Sequence, residues 1–133
     1  MTPAEGDPAK RHRVVLILWV AMFATLPMYF LVTRLVQPQS IEQNMTMVET
    51  LLGAALVCVV TSVVMRSRMA GESRTAQQVY AGYIVAFALS EAAGLFGVVT
   101  HFTTGWPMAW IFFVFGAAGF VLNFPQWESF ERG

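Results

Sequence analysis

An all-α membrane protein with four transmembrane helices in an antiparallel bundle is the fold class this sequence predicts, and three observations carry the prediction. Apolar runs of about spanning length recur along the 133 residues, which are 56% hydrophobic and 12% charged, with a mean hydropathy of +0.58. The charged residues gather between those runs, a membrane pattern and not that of a soluble core. The basic residues are also unevenly shared. Lys10, Arg11 and Arg13 flank the first run and Arg66, Arg68 and Arg74 fill the second connection, whereas Arg34 stands alone in the first and the last connection has none. Positive residues beside a span stay on the cytoplasmic side, so both termini are expected there, in a membrane of the bacterial cytoplasmic type.

Each element has its own justification. Residues 1–13 are polar, hold two acids and two prolines ahead of the basic cluster, and read as a disordered cytoplasmic tail. The first span is expected over residues 14–33; it has full spanning length and no small-x-small cleavage pattern at its end, so it reads as a retained helix. Pro27 interrupts it. Proline lacks an amide donor and clashes with the carbonyl four residues back, here that of Phe23, so a kink is expected. The second span covers residues 45–65, where Gly53, Ala54 and Ala55 offer a smooth patch for close helix approach. The third covers 79–102 and the fourth 107–123, joined by a short uncharged turn. The fourth carries the small-residue face of Gly116 and Gly119, and residues 124–133 read as a polar cytoplasmic tail. Trp106, Trp110 and Trp127 lie near span ends, as interfacial aromatics do.

Glu91 is the residue of most chemical interest, a lone acid in the middle of the third apolar run. An ionised carboxylate at that depth costs several kcal/mol, so the neutral acid, able to donate a hydrogen bond, is the expected resting form. Gly94, Gly97 and Ser90 belong to small-residue stripes on the same helix, which direct it toward another helix and away from lipid. Counting about 1.5 Å per residue puts Glu91 level with Thr25 and Pro27 of the first helix. Thr25, Pro27 and Ser90 are therefore its supporting candidates: the Thr25 hydroxyl, or the carbonyl freed by Pro27, would bond the acid. No Lys, Arg or His shares that depth.

Other chemistry finds little footing. Cys58 is the single cysteine and His12 and His101 are far apart in sequence, so neither a disulfide nor a metal site is expected, and no cofactor. No nucleophile–base pair or phosphate loop can be read, which argues against an enzyme. A nucleic-acid partner is not expected.

The stretch Arg66-Ser67-Arg68, a polar loop, and then Tyr80 to Gly97 with ALSEAAGLFG at its centre resembles the second helix of the proton-carrying c subunit (proteolipid) of rotary ATP synthases. The resemblance spans residues 53–102 at most. It implies a helical hairpin with a cytoplasmic loop and a proton-binding acid at Glu91. That family packs its hairpins through a run of glycines in the first helix, where this chain has Gly53 alone. Two functions follow as expectations: an accessory or structural subunit of a larger membrane complex with a buried protonatable carboxylate, or a proton-handling, proteolipid-like module acting as a homo-oligomer through Glu91. The expected partners are the lipid bilayer and other membrane subunits or copies of the chain.

Overall fold

The computed structural model describes residues 7–38, 44–69 and 75–131, and among them the chain is helical with no strand. The helices are α1 (Pro8–Phe23), α2 (Thr25–Leu35), α3 (Met45–Met69), α4 (Ala76–Thr104), α5 (Trp110–Leu122) and α6 (Trp127–Glu131). Three rods are long and apolar enough to cross a membrane: Pro8–Leu35, which joins α1 and α2, Met45–Met69 and Ala76–Thr104.

Local chemistry sets their ends. Asp7 caps α1 by accepting from the Ala9 amide at 3.2 Å, with Pro8 just inside the helix, where its missing N–H costs nothing. The helix therefore starts ahead of the expected residue 14 and carries Lys10, Arg11 and Arg13 on its first turns; of the expected disordered tail, residues 1–6 lie outside the described residues. Asn44 caps α3 through the Met47 amide, and Thr75 with Gln78 forms a capping box on α4. Gly105 ends α4 in the left-handed conformation (φ 64°), returning its amide to the His101 carbonyl. Pro107 then resists helix at the residue before it. The chain makes a turn through 107–109 before α5 begins, so the run expected as a fourth span is a helix of 13 residues. At 1.5 Å per residue that is about 20 Å, against roughly 30 Å of bilayer hydrocarbon.

The interruption of the first rod falls at Ala24, three residues before Pro27. Residue 27 has no N–H to offer the Phe23 carbonyl, and the Thr25 hydroxyl donates back to the Met22 carbonyl at 2.6 Å across the break.

Helix α4 is the hub. It packs most extensively on α3 and α5 and also touches α1, α2 and α6, whereas α1 and α2 make no contact with α3. Its buried glycines let neighbours close in. A Cβ on Gly97 would sit 2.7 Å from the Phe112 Cβ, and one on Gly119 of α5 would sit 2.5 Å from the Ser90 hydroxyl. Gly53, expected to serve such packing, meets no helix among the described residues: nothing lies within 4 Å of its Cβ position, and it faces outward on α3 while Ala55 turns inward.

The residues after α5 are no free tail. Pro125 and Phe130 are buried, and α6 packs on α1 and α4. The Arg11 guanidinium donates to the Phe130 carbonyl at 3.0 Å, and the His12 ring meets Trp127 and Phe130 edge-on. Tyr83 stacks on Phe130 and accepts from the Gln126 amide at 3.0 Å.

Candidate functional site

The site around Glu91 is built by one apolar side chain. Leu26 of α2 is buried and its Cδ atoms fill the space that a Cβ on Gly94 or Gly116 would take; at Gly116 they lie at 3.2 and 3.3 Å. This socket, one glycine from α4 and one from α5, draws α2 against both helices. Thr25 and Tyr29 sit next to Leu26 and one turn on from each other, so they share the face of α2 that meets Glu91.

The Tyr29 hydroxyl donates to Glu91 Oε1 at 2.8 Å. Thr25 Oγ1 lies 3.4 Å from the same oxygen, but its one hydrogen is engaged in the 2.6 Å bond to the Met22 carbonyl. The Thr25 contact is thus long and secondary, and Tyr29 is the main partner. Among the described residues Glu91 has no ion-pair partner, and its second oxygen, Oε2, has no hydrogen-bond partner. The side chain is half-buried.

As a carboxylate, this group would have one good donor and no countercharge, which is poor compensation away from water. As a neutral acid with its proton on Oε1, it could donate to the Thr25 hydroxyl oxygen 3.4 Å away, which accepts while its own hydrogen goes to the Met22 carbonyl. In either form Oε2 has capacity for one more polar partner.

Of the supporting candidates, only Thr25 reaches Glu91. Pro27 is exposed and lies with Phe23, Leu26 and Phe30 beside α5. Ser90 is fully buried against Gly119 and donates to the Ala86 carbonyl at 2.9 Å. Gly94, Gly97, Gly116 and Gly119 all lie in tight helix contacts. Tyr29 escaped the sequence reading, although its spacing of four from Thr25 was a usable signal: two hydroxyls on one helical face at the depth of the acid.

A second polar centre was also missed. Asn123 at the end of α5 is fully buried, its Oδ1 accepts from Arg66 Nε at 2.8 Å, and its Nδ2 donates to Ser62 Oγ at 2.9 Å and the Gly119 carbonyl at 2.8 Å. Arg66 adds a 3.3 Å bond to the Leu122 carbonyl. Among the described residues, no group of three or more His, Cys, Asp or Glu side chains is placed to hold a metal ion.

No protein-family model, curated protein or solved structure shows a significant match to this chain.

Proposed function

We propose that the chain is an integral membrane protein with four spans in an antiparallel bundle and both termini cytoplasmic, acting as an accessory subunit of a larger membrane complex. Large apolar side chains stand exposed along each long rod, among them Ile17, Leu31, Leu56, Val57 and Leu95, a surface suited to lipid or to other membrane helices. In this reading α5, continued by the turn before it, completes the fourth crossing. The observation that carries the subunit role is the half-satisfied carboxyl: Tyr29 holds Oε1, while Oε2 stands open at the edge of the α2–α4 contact. A polar group on a neighbouring subunit would complete it.

Extraction in mild detergent, blue-native electrophoresis and mass spectrometry of the band test this. Larger membrane subunits co-migrating with the chain are the expected result, and a band of this chain alone would overturn it.

The same open oxygen favours a second reading, a proton-handling module. Protonation and release at Oε2 beside a fixed Tyr29 donor would suit a carboxyl that exchanges a proton, as the likeness to the rotary c subunit suggests. Here the partner hydroxyls come from the same polypeptide, so the site would not need a ring of copies to be formed. A homo-oligomer whose proton flux is abolished by Glu91→Gln, with expression intact, would favour this reading over the first.

A further inference from the structure

Two cavities lie beside the first rod, one against α5 and one against the end of α4 and the turn before α5, and they differ in character. One, of about 340 Å³, is apolar and bounded by Phe23, Pro27, Phe30, Phe113 and Val114. The other, of about 230 Å³, lies at the end of the molecule away from α6 and is bounded by Thr33, Arg34, His101 and Trp106. Trp110 lines both, so the two adjoin at its side chain and together make a candidate crevice, with an apolar part beside Phe23 and Pro27 and a cationic part beside Arg34.

We propose that this crevice binds one anionic phospholipid, with its phosphate at Arg34 and one acyl chain lying between Phe23, Pro27 and Phe113. Charge complementarity selects the headgroup. The Arg34 guanidinium sits 4.9 Å over the Phe30 ring and makes no hydrogen bond or ion pair among the described residues, so its donors are open to a phosphate. The neighbouring polar groups are already engaged: Thr33 donates to the Phe30 carbonyl at 2.7 Å, and His101 Nε2 lies 2.9 Å from the Val36 carbonyl. Arg34 is thus the crevice's cation for an anionic ligand.

Length fits the same occupant. Arg34 and Phe23 are about 16 Å apart along the rod at 1.5 Å per residue, close to half of a bilayer's roughly 30 Å of hydrocarbon. One acyl chain of one leaflet fills that depth. The break at Ala24 and the ring of Pro27 shape the inner end, and Trp110 stands where interfacial aromatics stand, between chain and headgroup. The site uses the side of α2 that faces α5, and Thr25 and Tyr29 meet Glu91 from the other.

The proposal rests on bilayer placement, which flotation of the reconstituted protein with phosphatidylcholine vesicles reports separately. The test is native mass spectrometry of the full chain purified in neutral detergent and given equimolar phosphatidylglycerol and phosphatidylcholine. One retained lipid is expected, with about a fivefold preference for phosphatidylglycerol, the worth of one basic residue near a membrane surface. Arg34→Gln should bring that ratio to about one. Val114→Trp, at an exposed position that can fill the apolar half without disturbing the core, should lower retention of both lipids. Equal retention by the unmodified protein, or a preference that survives Arg34→Gln, would overturn the assignment. So would full retention by Val114→Trp, or displacement of phosphatidylglycerol by equimolar inorganic phosphate, which would mark a free-anion site.

Discussion

Asn123 and Glu91 are both polar side chains set among apolar helices, yet their surroundings treat them differently. Asn123 has its carbonyl oxygen and both amide hydrogens engaged by three separate groups from α3 and α5. Glu91 has one oxygen held and the other unmatched. A fully satisfied buried network specifies packing and stabilises it, while a partly satisfied one has capacity left over. The difference makes Asn123 a packing element, while Glu91 keeps one oxygen with unused hydrogen-bonding capacity.

Four substitutions would break or sharpen that contrast. Asn123→Leu should have the largest effect on stability, a loss of about 2–3 kcal/mol, because Arg66 and Ser62 are left without their partner; reversible unfolding in mixed micelles measures it. Gly116→Val should cost about 2 kcal/mol by overpacking. Its Cβ would meet the Ser90 carbonyl at 3.0 Å and the Leu26 methyls, pushing α2 off and separating Tyr29 from Glu91. The same unfolding assay, with infrared detection of the Glu91 carboxyl before and after, checks both parts. Tyr29→Phe should cost only about 0.6 kcal/mol, the average for an interhelical bond in a membrane, while shifting the Glu91 carboxyl band. Glu91→Gln should be the mildest for stability, under about 0.5 kcal/mol, since the amide oxygen still accepts from Tyr29. Its effect belongs in partner co-purification or proton flux. A Glu91→Gln variant as unstable as Asn123→Leu would erase the contrast.

Much of this was legible in the residues. Long apolar runs and their flanking charges predict four spans, of which three are long rods and the fourth is the 13-residue α5, and counting rise per residue brings Thr25 level with Glu91. That count is blind to angle. It could not separate Thr25, which faces the acid, from Pro27, which faces α5, nor reveal that Ser90 turns toward Gly119 and not toward the neighbouring carboxyl. Arg66 was read through its charge alone, as a marker of topology, and Asn123 as a span end; their pairing joins residues far apart in sequence and leaves no local pattern. That Gly53 has no facing helix among the described residues was hidden for a related reason. In a helix apolar on most sides, a small residue does not say which neighbour it faces. The segment 124–133 carried its own warning in Trp127 and Phe130, aromatic residues that a solvated tail has little use for.

One feature of the packing bears on how the molecule is made. The first rod has no contact with α3, and its partners are α4, α5 and α6. A ribosome delivering the chain from its N-terminus therefore releases α1 and α2 well before anything exists for them to pack against. Each can persist as a lone helix, its backbone satisfied from within. Helices α3 and α4, adjacent in sequence and in space, are then free to join first. The Leu26 socket needs Gly94 and Gly116 together, so it closes only after α5 is in place. Translation order thus leaves the first rod waiting: it is made before the helices it packs on, and its Leu26 contact is complete only once both α4 and α5 are present.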